Sequence, residues 1–138
     1  MVTPVRLQLS RRKGFDLQAL SRATNGLPAI KVTRPGAWGN PYVVWRDGPA
    51  WMVSAVPCHW GPFRTFEVAT AEAVCLFRDD LMRPGHHHHR LNQPVPTAAD
   101  IIKSLRGMNL ACWCKPGAPC HADVLLELAN RPICEAVA

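Results

Sequence analysis

Cys112, Cys114, Cys120 and His121 fall within one stretch, Cys112-Trp113-Cys114-Lys115-Pro116-Gly117-Ala118-Pro119-Cys120-His121-Ala122-Asp123. Thiols and an imidazole this close in sequence suit three kinds of chemistry. Cys112, Cys114, Cys120 and His121 are four soft or borderline donors, the set a tetrahedral zinc ion takes; a Cys-x-Cys pair and an adjacent Cys-His pair differ, however, from common zinc knuckles, and Cys58-His59 is a further source of ligands. Alternatively, Cys120 or Cys114 is a low-pKa nucleophile, with His121 as proton carrier, Asp123 close by and Lys115 supplying positive charge. The third use is recognition without reaction: the unpaired N–H groups at a helix start, with His121 and Asp123, grip a phosphate, ribose or base. The bland alternative is packing, since free thiols often fill tight apolar junctions.

A second candidate site is Trp38-Gly39-Asn40-Pro41. Tryptophan beside glycine allows a base to stack with the backbone close by, and the Asn40 amide offers a donor and an acceptor to a base edge. Here too the alternative is a structural turn with a core aromatic. Arg34 lies just upstream, and Arg11 and Lys13 belong to a basic cluster with Arg6 and Arg12. With a formal charge of +6, these side chains suit a phosphate-bearing partner, a nucleotide or a nucleic acid, or else form a solvated basic face.

Whether the two candidate sites meet depends on the elements that carry them. Val5–Leu9 alternates apolar and polar residues as a half-buried strand does, and Ala29–Thr33 reads as a second strand. Between them a short helix over Leu17–Ala23 ends before the Asn25-Gly26 turn signal. Tyr42–Trp45 and Trp51–Val56 are strands flanking the hairpin signal Asp47-Gly48. Val74, Phe77 and Leu81 then recur at helical spacing, which predicts an amphipathic helix over Thr70–Met82 stopped at Pro84. Thr97 and Asp100 predict the start of another helix, ended by Gly107. Met108–Trp113 has the length and apolarity of a buried strand, and Asp123–Ala129 forms a last helix.

This order predicts a single α/β domain over residues 1–138, with a mixed or partly parallel sheet, flanking helices and a strand-loop-helix site at the C-terminal end. Thirteen prolines in 138 residues favour short elements and substantial loops, and segments 46–66 and 84–96 read as loop insertions. The latter holds His86–His89 between Pro84-Gly85 and Pro94. No secretory signal or membrane-spanning stretch is evident, so the expected location is the cytoplasm of a bacterial or phage-infected cell, with no membrane partner. There the six cysteines serve as metal ligands, reactive thiols or packing residues rather than disulfide halves. Cys75 and Cys134 read as packing and chain-end residues respectively.

Several pieces occur in a fixed order: Arg6–Leu9 with Arg11–Phe15; Arg34-Pro35 leading to Trp38–Pro41; the Thr70–Leu81 helix; and Leu110–Cys114 followed by Pro119–Asn130. In this the chain resembles a family of small domains of unknown function from bacteria and phages. The resemblance covers most of the chain and implies that the two motifs mark a site, without implying an activity. More distantly, the strand-Cys…Cys-His-helix ending is similar to an α/β family found beside nucleic-acid-processing genes, which implies a nucleotide-related role. Together the readings point to a nucleotide- or nucleic-acid-directed enzyme using Cys120, His121, Asp123 and Cys114. The alternative is a non-catalytic nucleic-acid or protein binding module stabilised by zinc.

Overall fold

The computed structural model of the protein describes residues 2–34, 36–55, 57–82, 87–88 and 93–132, with backbone alone at 87–88 and 93–94. The apolar run near the C-terminus forms β8 (Asn109–Cys112), whose four residues are all buried. It lies between β1 (Arg6–Gln8) and β2 (Ala29–Lys31) and runs parallel to both. Gln8 pairs with Cys112 and Lys31 with Ala111, so the three strands end side by side. One further bond extends each ladder: Leu9 N–H donates to the Cys112 carbonyl at 2.8 Å and Val32 N–H to the Ala111 carbonyl at 3.0 Å.

A parallel strand covered on both faces needs apolar side chains in both directions, and β8 supplies them. Ala111 joins Leu7, Leu9 and Ala29 in a core bordered by Phe15 and by Leu17 of α1 (Leu17–Asn25). Leu110 and Cys112 join the larger core, with Phe77, with Ile101 and Leu105 of α3 (Ala98–Leu105), and with Leu125 of α4 (His121–Ala129). Asn109, fully buried at the start of β8, finds partners for both ends of its amide. The oxygen accepts from Val5 N–H at 2.9 Å, and the nitrogen donates to Ser21 Oγ at 2.7 Å and Asn25 Oδ1 at 2.8 Å. One side chain thereby ties β8 to β1 and α1.

The second sheet is an antiparallel meander of β3 (Val43–Asp47), β4 (Ala50–Ala55) and β5 (Cys58–Phe63). It packs on α2 (Phe66–Leu81), which also contacts α4. Buried Ala69, Ala73 and Phe77 recur every fourth residue, the spacing that puts them on one helix face. A short antiparallel ladder joins β6 (His87–His88) to β7 (Gln93–Pro94).

The expected α/β class with a partly parallel sheet and flanking helices is the observed one. The expected Thr97 cap of α3 is formed, and Asp100 closes it into a capping box: Thr97 Oγ1 accepts from Asp100 N–H, and the Asp100 carboxylate accepts from Thr97 N–H. Gly26 ends α1 in the left-handed region at φ 81° and donates its N–H to the Arg22 carbonyl. Differences are local. Segment 46–66, read as a loop insertion around the Trp51–Val56 return strand, carries β5 as well as that strand, β4. The α2 helix begins at Phe66, because Thr65 Oγ1 accepts from Val68 N–H and caps an additional turn. Cys75 is exposed rather than packed. Most of 84–96, with His86 and His89, and Cys134 lie outside the described residues.

Replacing Asn109 with Leu keeps the volume but strands the Val5 N–H and the Ser21 and Asn25 groups. The expected loss is about 1–3 kcal/mol, with a fall in Tm of several degrees, measured by urea and thermal unfolding; an unchanged midpoint would show that this network does not hold β8 in place.

Candidate thiol centre and ligand cavity

Once β8 ends at Cys112, the chain makes a short excursion, Trp113–Pro119, and re-enters the fold at Cys120, which caps α4. The excursion is anchored by Arg6 on the neighbouring strand. Its guanidinium donates to the carbonyls of Ala118 at 2.9 Å and Lys115 at 3.1 Å and reaches the Asp123 carboxylate at 3.2 Å. The Arg6 side chain is only 11% exposed, so these bonds act with little competition from water.

The anchored loop returns Cys120 to Cys112, with the two sulfurs 3.1 Å apart. Cys114 completes the group: the sulfurs of Cys112, Cys114 and Cys120 all lie within 4.8 Å of one another. This is an arrangement one metal ion can bridge. The Cys120 side chain also accepts from Ala122 N–H at 3.5 Å, as an N-cap does. His121 Nδ1 lies 3.8 Å from Cys120 Sγ, while its Nε2 is 2.6 Å from the Val32 carbonyl. A carbonyl only accepts, so Nε2 carries the hydrogen, and in the neutral ring Nδ1 keeps its lone pair facing the sulfur. Phe77 meets the imidazole edge to face, with centroids 5.4 Å apart, and fixes the ring plane.

The three thiols share their protons unequally. Cys120 is driven well below the ordinary cysteine range by hydrogen bonds from Cys112 and Cys114, against the effect of burial, with smaller help from the Ala122 N–H and, when Nδ1 is protonated, from His121. Cys112 is driven well above that range by its hydrogen bonds with Cys114 and Cys120 and by burial. Cys114 is also raised: the Cys112 bond lowers it, but its hydrogen bond with Cys120 and burial outweigh that contribution. Of the three, Cys120 is the thiol at the positive end of α4, where the helix dipole acts in the same direction. Asp123 is raised by burial, which the Arg6 charge opposes.

Cys112, Cys114, Cys120 and His121 form one wall of a cavity of about 380 Å³, beyond the carboxyl ends of β2 and β8. Thr33, Arg34, Asn40 and Tyr42 contribute from the 33–42 segment, and Phe66, Thr70 and Val74 from α2. The two candidate motifs thus share this cavity, but not through every residue named from the sequence. Cys120 is 2% exposed, much less than a helix start ordinarily is, because the large core closes around it. Asn40 spends its amide inside the protein, donating to the Ala73 carbonyl at 3.1 Å and accepting from Tyr42 N–H at 2.9 Å. Arg34 donates to the carbonyls of Asn40 and Tyr42. Gly39 lies so close to Arg34 that a Cβ would come within 2.9 Å of its backbone. Trp38 packs against the core and does not line the cavity.

Trp113 is instead the tryptophan on the cavity. It is 48% exposed and lies beneath the Arg11 guanidinium, 4.9 Å from the ring centroid. Lys13 and Lys115 are exposed and stand outside the cavity wall, as does Asp123, which pairs with Arg6. Sequence reasoning missed Phe66, and it placed Arg6 in the basic cluster without its anchoring role. The cap residue Thr65 was a usable signal for the first; the second depends on a contact 117 positions away. Among the described residues no helix is long and apolar enough to cross a membrane, and five cysteines are free thiols.

Fold and site define a small α/β domain whose parallel strands end at a thiol-lined cavity. The chain belongs to the family described as a domain of unknown function, DUF4326, whose model matches residues 18–131. It is also 36% identical over 73 residues to an uncharacterized 12.4 kDa protein in the nrdA-td intergenic region of Enterobacteria phage T4. That match covers 52% of this chain and 60% of the phage protein's length. No solved structure matches the chain.

Arg6→Met removes the charged donor that anchors the Trp113–Pro119 loop while keeping much of the side-chain volume. A destabilisation of about 1.5–3 kcal/mol is expected, with faster amide hydrogen exchange concentrated at 115–120; exchange left unchanged there would remove Arg6 from its anchoring role.

Proposed function

We propose that the protein is directed at a nucleotide or nucleic acid, which it binds in the cavity, and that it holds a zinc ion on Cys112, Cys114 and Cys120. The observation that carries this reading is the convergence of three thiols within 4.8 Å in the wall of a ligand-sized cavity. Tetrahedral Zn–S bonds of about 2.3 Å place sulfurs roughly 3.8 Å apart. The Cys112–Cys120 pair, at 3.1 Å, therefore opens slightly as the ion replaces the shared protons. His121 is suited to be the fourth ligand: Nε2 is committed to the Val32 carbonyl, the outer bond that typically orients a metal-binding imidazole. The nucleotide half of the proposal is supported by the exposed Trp113 under Arg11, by exposed Lys13 and Lys115 close in sequence to that pair, and by the positive net charge. We place this role in the cytoplasm, where thiols stay reduced.

A second reading is favoured by the weak hold of Cys120 on its proton and its place on the cavity wall. In it the protein is a nucleotide- or nucleic-acid-processing enzyme, with Cys120 as nucleophile and His121 as proton carrier. Elemental analysis of protein purified without nickel affinity separates the two. The zinc reading expects about one zinc per chain, lost in Cys112→Ser and Cys120→Ser and kept when residues 86–89 are all replaced by Ser. It also expects chelation to lower the Tm of the wild type and leave Cys120→Ser unmoved. Metal-free protein with one rapidly alkylated thiol at Cys120 would overturn zinc in favour of the enzyme.

A further inference from the structure

Seven large hydrophobic side chains are exposed among the described residues, and two of them, Phe66 at 49% and Trp113 at 48%, line the thiol cavity. Single exposed apolar residues are ordinary on a protein surface and carry no argument. Two aromatic rings on one concave site are different, especially as each is held in orientation by a second group. Phe66 meets Trp51 edge to face, with centroids 5.2 Å apart and planes at 63°. Trp113 has the Arg11 guanidinium over one face of its indole. Rings fixed in this way lose little freedom when a ligand stacks on them.

We propose that Phe66 and Trp113 form the stacking surface for a single unpaired nucleobase, carried by a mononucleotide or by the end of a single strand. The inference rests on the nucleotide-directed reading above and makes the heterocycle, rather than the phosphate, the part recognised inside the cavity. Three observations favour it. A cavity of about 380 Å³ has the size of a small-molecule site and admits one nucleotide-sized ligand, whereas a base pair keeps both its bases inside a duplex. On the 33–42 wall the Asn40 amide is bonded to Ala73 and Tyr42 and the Arg34 guanidinium to the carbonyls of Asn40 and Tyr42, so apolar and aromatic surface does much of the work of holding the ligand. Positive charge lies beside the indole, where Arg11 suits the phosphate that accompanies a base.

Calorimetric titration of the purified protein, its zinc content measured beforehand, with the four ribonucleoside 5′-monophosphates, adenosine, ribose 5-phosphate, inorganic phosphate and a short single-stranded oligonucleotide tests the proposal. At least one monophosphate is expected to bind well above ribose 5-phosphate and phosphate. Trp113→Ala and Phe66→Ala are each expected to weaken it roughly 5- to 150-fold, with Trp113→Phe restoring much of the loss and metal content unchanged throughout. If ribose 5-phosphate binds as tightly as the nucleotides, the nucleotide-directed reading survives with phosphate as its anchor and base stacking is overturned. Base stacking is equally overturned if both Ala variants bind nucleotides normally. If neither a nucleotide nor a short single-stranded oligonucleotide binds a folded protein of normal metal content, both the inference and the nucleotide-directed reading fail, and the zinc assignment stands alone.

Discussion

Strand β8 has water on neither face, and that constraint organises the rest of the molecule. Only a run without charge survives there, and Asn109-Leu110-Ala111-Cys112 meets the condition because its one polar side chain is fully engaged by Val5, Ser21 and Asn25. With β1 and β2 on either side, the end of β8 cannot shift. Cys112 is therefore delivered to one fixed point at the carboxyl edge of the sheet.

The thiol centre follows from how the chain returns to that point. The Trp113–Pro119 excursion carries two prolines and a glycine, so it cannot extend either the strand or the helix, and Arg6 holds two of its carbonyls from the adjacent strand. The α4 helix then starts against Cys112 rather than in solvent. Its N-cap is a cysteine whose sulfur has both a thiol and a backbone N–H directed at it. Burial raises the Cys120 pKa, but its hydrogen-bonding neighbours outweigh burial and lower it, and the helix dipole acts the same way. The cavity wall therefore combines converging sulfurs, an oriented imidazole and two open aromatic rings.

Much of the scaffold was legible in the sequence because it rests on local rules. The Thr97–Asp100 capping box, the Asn25-Gly26 helix stop and the apolar run of β8 each carry their own signal within a few residues. By contrast, β5 was not legible: Cys58-His59-Trp60-Gly61-Pro62-Phe63 lacks regular alternation and contains Gly-Pro, and only pairing with β4 makes it a strand. The meeting of Cys112, Cys114 and Cys120 could be foreseen as a cluster, but not the burial of Cys120, which depends on Phe77 and other distant core residues. The choice of tryptophan was likewise a tertiary matter. Strand alternation turns Trp113 away from the two cysteines, yet the strand ends at Cys112 and leaves the indole on the cavity, while Trp38 is drawn into the core.

The central claim is that three sulfurs with an imidazole beside them act as one ligand set. Cobalt(II) titration of the reduced, metal-stripped protein, with residues 86–89 replaced by Ser, tests it most directly through the absorption spectrum. Intense thiolate-to-cobalt charge transfer with tetrahedral ligand-field bands, saturating at about one equivalent and displaced by zinc, is the expected result. A weak octahedral spectrum, or one unaltered by Cys112→Ser, would contradict it.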